Sequence, residues 1–118
     1  MLQTELKHVN TEEEAKNLID TNSFVMICCG RMGPMCIPVY KIMHQLGPLY
    51  PNVMFVDMGF DTRGARFIKV LPECRSFMGL PFTIYYKKGN VVRATSSIQT
   101  KEQIVAILDE EFGKTENE

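Results

Sequence analysis

Residues 24–38 read Phe24-Val-Met-Ile-Cys-Cys-Gly-Arg-Met-Gly-Pro-Met-Cys-Ile-Pro38 and join an apolar run to a helical pattern. The run before Gly30 is unbroken, which is typical of a strand buried on both faces of a parallel sheet. Pro38 has no amide hydrogen and therefore suits the first turn of a helix. The segment predicts a strand, a loop and a helix, with three of the chain's four cysteines close to the loop.

The rest of the chain alternates between strand and helix patterns on both sides of this segment. Helical patterns cover residues 11–20, 61–70 and 100–112, and strand patterns cover residues 5–9, 52–58, 82–86 and 91–95. The resulting order, β-α-β-α-β-α-β-β-α, predicts an α/β fold with a mixed central sheet and helices on both faces. Functional sites of such sheets lie at the carboxyl ends of the parallel strands, which is where the 28–36 loop falls.

Length and composition predict one domain over residues 1–113, followed by a polar tail at residues 114–118. The chain has 118 residues, 45% of them hydrophobic, and a net charge of −1. Its Lys and Arg residues are scattered, which argues against a nucleic-acid partner. No apolar run approaches the roughly 20 residues of a membrane span, and the N-terminus lacks the apolar core of a signal peptide. We therefore expect a cytoplasmic protein without a membrane partner.

The four cysteines favour thiol chemistry over a disulfide scaffold. Without an export signal, cysteines are expected to stay reduced and to be reactive or metal-binding. Cys36 stands just before the predicted helix, where amide N–H groups and the helix dipole favour a thiolate. Arg31 is expected to add positive potential there.

Two segments resemble landmarks of the thioredoxin family. One is Gly33-Pro34, and the other is Gly79-Leu-Pro-Phe-Thr-Ile-Tyr-Tyr-Lys-Lys-Gly89. The resemblance covers nearly the whole chain and implies the thioredoxin fold, with Pro81 in the cis form facing a redox site. It also implies thiol–disulfide exchange without a cofactor. The partners would be protein disulfides and a reducing dithiol or reductase.

The chain departs from this family at the residues that carry its chemistry. Where thioredoxins have Cys-Gly-Pro-Cys, the chain reads Met32-Gly33-Pro34-Met35, and Met26 occupies the position of the buried acid. The expected redox pair therefore moves to Cys36, the attacking thiol, and Cys29, the resolving thiol. The two ends of a loop that doubles back are expected to lie close together, which favours Cys29 as the partner.

The other candidate residues have weaker roles. Cys28 alternates with Cys29 along the strand and is expected in the core, with a reactive role as the alternative. Cys74 is expected to be a buried or incidental thiol, with a resolving role as the alternative. Asp57, near the end of the neighbouring strand, is a candidate proton acceptor for Cys36; the alternative is an exposed carboxylate. His8 and His44 are expected on the surface.

These residues predict a thiol–disulfide oxidoreductase that uses Cys36, Cys29 and Asp57. Its expected substrate-binding residues are Gly33, Pro34, Leu80 and Pro81. The alternative is a redox-inactive binding module that keeps a groove for a protein partner, formed by Gly33, Pro34, Met78, Leu80, Pro81 and Ser96. A minor alternative is a Cu(I) site, because Met32 and Met35 together with the two cysteines form a soft ligand set.

Overall fold

A computed structural model describes residues 2–113 and forms one five-stranded mixed sheet. The tail predicted at residues 114–118 lies outside the described residues. The strands are β1 (Lys7–Val9), β2 (Phe24–Gly30), β3 (Val53–Gly59), β4 (Phe82–Lys87) and β5 (Asn90–Ser96). They lie in the order β1-β3-β2-β4-β5. Strands β1, β3 and β2 are parallel, while β4 and β5 are antiparallel to their neighbours, which confirms the predicted mixed sheet.

Four helices cover the two faces of the sheet. They are α1 (Glu12–Thr21), α2 (Ile37–Leu46), α3 (Arg66–Lys69) and α4 (Lys101–Phe112). Helices α1 and α4 each begin with a capping box, at Thr11 and Thr100. Their apolar stripes pack on opposite faces of the sheet, because Ile19 and Leu108 belong to different core clusters.

Side-chain alternation along β2 divides the core into two layers. Met26 and Cys28 point to the layer under α2 and α4, whereas Val25, Ile27 and Cys29 point to the layer under α1 and α3. We call these layers the α2/α4 face and the α1/α3 face. Successive side chains of a strand point to opposite faces, so this division follows directly from the extended backbone.

The helix predicted over residues 61–70 is shorter in the structure. A 3-10 turn occupies Arg63–Ala65, and α3 covers only Arg66–Lys69. Gly64 explains the difference, since a β-carbon there would lie 2.8 Å from the Thr11 α-carbon and from the Glu12 nitrogen. The backbone at Gly64 packs closely against the start of α1. This contact, and not the spacing of apolar residues, determines where α3 begins.

Tyr85 offers a test of the polar interior of the α2/α4 face. The Tyr85 side chain is fully buried, and its hydroxyl has no hydrogen-bond partner among the described residues. Tyr85→Phe removes this unsatisfied group, so we expect the free energy of unfolding to rise by about 1 kcal/mol. Tyr40→Phe is the control, because the Tyr40 hydroxyl donates to the Arg31 carbonyl at 3.1 Å. This control should lower the free energy of unfolding by about 1 kcal/mol in urea titrations. A loss of stability in Tyr85→Phe would contradict the assignment.

Candidate redox site

Cys36 occupies the N-cap position of α2 at the carboxyl edge of the parallel strands. The Gly33 carbonyl accepts the backbone N–H groups of Cys36 at 3.1 Å and of Ile37 at 3.0 Å, which closes the loop into the helix. The Cys36 Sγ accepts the Arg31 N–H at 3.4 Å. This thiol is buried, with 3% of the residue exposed. The site therefore holds its sulfur against the loop backbone at the start of a helix.

Three side chains occupy the space over Gly30, because this residue has no β-carbon. A β-carbon at Gly30 would lie 2.8 Å from the Cys36 Sγ, 2.9 Å from the Tyr40 hydroxyl and 3.0 Å from the Pro81 β-carbon. The Leu80–Pro81 peptide bond is cis, as the resemblance implies. The Ser97 N–H holds the segment around this bond, because it donates to the Gly79 and Pro81 carbonyls at 3.0 Å each. Cys36 and Pro81 are therefore neighbours in space, although 45 positions separate them in the sequence.

Cys29 and Cys36 lie on opposite faces of the sheet. Cys36 and Cys28 belong to the core cluster of the α2/α4 face, whereas Cys29 and Cys74 belong to that of the α1/α3 face. The predicted pairing rested on the two ends of the loop lying close together. All four cysteines are buried free thiols. The alternation of β2 thus argues against the expected pair of Cys29 with Cys36, which stays a prediction.

Burial raises the pKa of the three cysteines other than Cys36. It raises the pKa of the Cys29 thiol to about 12, and the positive charge of Lys69 opposes this only in part. Burial also raises the pKa of Cys28 well above its usual range, while a contact from the Thr83 hydroxyl at 4.0 Å lowers it somewhat. Burial raises the pKa of Cys74 to about 11. Each of these thiols would need a base before it could act as a nucleophile.

Asp57 is buried, with 1% of the residue exposed, so the alternative of an exposed carboxylate is wrong. The Thr4 hydroxyl donates to its Oδ2, and the His8 Nδ1 lies 2.7 Å from its Oδ1. His8 was expected on the surface, but its side chain is only 25% exposed and pairs with this acid. The parallel pairing of β1 with β3 sets His8 opposite Asp57, a register that no local sequence pattern encodes.

The guanidinium of Arg31 is directed away from the sulfur. It forms a two-point ion pair with Asp61, at 2.7 and 2.8 Å, and stacks over the Phe60 ring at 5.3 Å. This contact raises the pKa of Arg31 and lowers that of Asp61. The positive charge of Arg31, which was expected to act on Cys36, is therefore paired with the Asp61 carboxylate. The contact that Arg31 makes with the Cys36 sulfur is through its backbone N–H.

The predicted substrate-binding residues lie on two loops near Cys36. Gly33 and Pro34 are on the outer side of the first loop, and a β-carbon at Gly33 would meet nothing within 4 Å. Leu80 is half-buried and Pro81 is buried. Around them stand four exposed apolar side chains, with 42 to 96% of each residue exposed: Met32, Met35, Met78 and Ile98.

Two clefts adjoin the site. One of about 320 Å³ is lined in part by Gly30, Arg31 and Met32. The other, of about 550 Å³, lies between residues 3–5 and α2, and its lining includes Thr4, Tyr40 and the exposed His44. Helical spacing places Tyr40 one turn after Cys36, so this neighbour was open to prediction from the sequence.

The structure separates the residues of the predicted Cu(I) site. That site needed Cys29 beside Cys36, and the two cysteines lie on opposite faces of the sheet. Within residues 2–113, no group of three or more His, Cys, Asp or Glu side chains is arranged to hold a metal ion. In the same part of the chain, no helix has the length and apolar character needed to cross a membrane.

These features define a class of α/β protein in which a thiol at a strand-to-helix loop faces a cis-proline. No protein-family model and no curated protein sequence matches the chain. Solved structures do match it, among them mitochondrial thioredoxin 3 of Saccharomyces cerevisiae in its oxidised form. That structure has a TM-score of 0.73 and 20% identity, with 89% of this chain and 94% of that chain covered.

Two further thioredoxins match almost over their full length. Plasmodium falciparum thioredoxin has a TM-score of 0.73 and 16% identity, with 90% of this chain and 99% of that chain covered. Thioredoxin f2 of Chlamydomonas reinhardtii has a TM-score of 0.75 and 11% identity, with 93% and 99% covered. The chain has the thioredoxin fold.

Proposed function

We propose that this protein is a thioredoxin-like thiol–disulfide oxidoreductase in which Cys36 attacks the substrate disulfide. The observation that carries this proposal is the position of the Cys36 Sγ at the start of α2, beside Pro81 and accepting the Arg31 N–H. Backbone N–H groups at a helix start stabilise negative charge that develops on such a sulfur. The cytoplasm is the proposed location, since thiols stay reduced there.

The reaction is thiol–disulfide exchange in two steps. The Cys36 sulfur attacks one sulfur of a protein disulfide, which forms a mixed disulfide and releases the other substrate sulfur as a thiolate. A second thiol of this chain then attacks the Cys36 sulfur, which releases the reduced substrate and leaves a disulfide within the protein. A reducing dithiol or a reductase returns the protein to its starting state.

The two loops around Cys36 are the proposed docking surface for the substrate. Gly33 and Pro34 would lie on one side of the bound segment, and Leu80 and Pro81 on the other. The cleft lined by Gly30, Arg31 and Met32 reaches Gly30, and the Cys36 sulfur lies next to that residue. Because Cys36 itself is 3% exposed, access of a substrate sulfur requires the side chains that cover it to move.

Insulin reduction tests the proposal on the natural chain. With dithiothreitol as reductant, we expect the protein to accelerate precipitation of the insulin B chain well above the rate with dithiothreitol alone. The acceleration should grow in proportion to the protein concentration. A rate equal to that of dithiothreitol alone, with folded protein shown by circular dichroism, would contradict the proposed reaction.

Exposed methionines favour a second candidate function, a redox-inactive binding module. Met32 and Met35 replace the two expected cysteines and are 42% and 44% exposed, and Met78 is 96% exposed. Flexible apolar side chains of this kind are frequent at protein-binding surfaces. This candidate predicts that Met32→Lys and Met78→Lys abolish capture of a partner, whereas Cys36→Ser leaves that capture unchanged.

A further inference from the structure

We propose that Cys28, and not Cys29, is the resolving thiol for Cys36, and that the Asp57 carboxylate held by His8 accepts its proton. This inference rests on the function proposed above, and it names residues of that site which the family pattern does not supply. Three arrangements carry it: the direction of β2 side chains, the position of the Cys36 sulfur over Gly30, and the register of β2 with β3.

Cys28 and Cys36 share one layer of the protein. The Cys36 Sγ is 2.8 Å from the position that a Gly30 β-carbon would take. Gly30 follows Cys28 by two residues in β2, so both positions point to the α2/α4 face and lie about 6.6 Å apart along the strand. The Cys28 side chain therefore starts on the same face as the Cys36 sulfur, one strand repeat from the position over which that sulfur lies, and both cysteines belong to one core cluster.

Cys29 lies on the other side of the backbone layer. Its neighbours in the α1/α3 face include Phe82 and Cys74. Strand β2 pairs with β3 on one side and with β4 on the other, and both ladders extend over Cys28 and Cys29. A bond from Cys29 to Cys36 would require this central strand to rotate and to break both ladders, whereas a bond from Cys28 requires no such rotation.

Asp57 is the acid placed to serve Cys28. The two residues are register partners in adjacent parallel strands, which lie about 4.8 Å apart. Asp57 points to the α2/α4 face, because its neighbours Val56 and Met58 point to the α1/α3 face. A base is required at this place, because burial raises the pKa of the Cys28 thiol well above its usual range.

The surroundings of Asp57 provide a route for the proton to solvent. The groups that act on it are Thr4 and His8 from the N-terminal segment and β1, Cys28 from β2, and Tyr40 from α2. His8 is 25% exposed, and Thr4 lines the cleft of about 550 Å³. A proton accepted by Asp57 can thus pass to His8 and leave without crossing the apolar core.

The resolving step balances without a further reagent. Asp57 takes the proton from the Cys28 thiol, and the Cys28 sulfur attacks the Cys36 sulfur of the mixed disulfide. The bond between Cys36 and the substrate breaks, and its electron pair leaves with the substrate thiolate, which takes a proton from solvent. Cys28 and Cys36 are oxidised to a disulfide, and the substrate is reduced.

A matched pair of variants tests the choice of thiol. Cys28→Ala and Cys29→Ala each remove one fully buried sulfur from the same strand, so their effects on stability should be comparable. The proteins are treated with glutathione disulfide, and their intact masses are measured by mass spectrometry. We expect Cys29→Ala to lose two hydrogens and to retain insulin reduction. We expect Cys28→Ala to stop as a glutathione adduct on Cys36 and to lose insulin reduction.

The reverse result, with an internal disulfide in Cys28→Ala and an adduct in Cys29→Ala, would overturn the inference while leaving the proposed function intact. Insulin reduction that survives in both variants would overturn it as well. Failure of the proposed function is read from another variant, since insulin reduction by Cys36→Ser at the natural rate would contradict that function itself.

Asp57→Asn tests Asp57 as the base. The measurement is the rate at which the disulfide closes and the dependence of that rate on pH, which a purely structural role of Asp57 would not change. The closure of the Cys28–Cys36 disulfide from the glutathione adduct should slow by about 100-fold at neutral pH. The logarithm of this closure rate should then rise with pH at unit slope, because hydroxide replaces the lost base. Asp109→Asn is the control, because Asp109 also accepts a hydrogen bond on the α2/α4 face, from Tyr50 at 2.7 Å. An unchanged closure rate in Asp57→Asn would overturn the assignment.

Discussion

Cys36→Ser is expected to abolish insulin reduction, bringing the rate down to that of dithiothreitol alone. A serine hydroxyl is isosteric with the thiol but is a far weaker nucleophile toward a disulfide sulfur, because the attacking species in exchange is a thiolate. The Arg31 N–H that donates to the Cys36 Sγ can donate to a hydroxyl oxygen, so the fold should survive the change. The measurement is the initial rate of insulin precipitation with thermal unfolding recorded in parallel.

Cys74→Ser is the matched control for this prediction. Cys74 is also 3% exposed, but it lies on the α1/α3 face and outside the loop. We expect this variant to keep the natural rate of insulin reduction while losing some stability. Equal activity in Cys36→Ser and the natural protein would remove Cys36 from the mechanism and contradict its assignment as the attacking thiol.

Gly30→Ala is expected to lower the free energy of unfolding by about 3 kcal/mol. The added methyl group would lie 2.8 Å from the Cys36 Sγ, 2.9 Å from the Tyr40 hydroxyl and 3.0 Å from the Pro81 β-carbon. The Tyr40 hydroxyl is the end of a long side chain and can shift at small cost. The Pro81 ring and the short Cys36 side chain cannot move without their backbones, so the overlap strains the loop and the start of α2.

Gly33→Ala separates this steric effect from a general effect of adding a methyl group to the loop. A β-carbon at Gly33 meets no atom within 4 Å, so we expect a change within about 0.5 kcal/mol. Urea unfolding followed by far-ultraviolet circular dichroism measures both variants. Two variants of equal stability would show that the Gly30 position has room, and would contradict the close packing of Cys36 against Pro81.

Much of the fold was open to prediction, because its signals are local. Apolar runs, capping boxes and the turn at Lys88 and Gly89 each depend on a few neighbouring residues, and together they predicted the order of elements. The start of α3 was predicted less well, at residue 61 in place of Arg66. Its start depends on the approach of Gly64 to α1, a contact between segments some 50 positions apart in the sequence.

The candidate site divides along the same line. The sequence by itself placed Cys36 before a helix and predicted a loop at the carboxyl edge of the parallel strands, because both follow from local patterns. Only the tertiary structure decided which thiol shares the layer of Cys36 and which acid is the register partner of that thiol. The alternation of β2 put Cys28 in the same layer as Cys36, and the pairing of β1 with β3 put His8 beside Asp57. Side-chain direction and strand register depend on packing between distant segments, which a single sequence does not record.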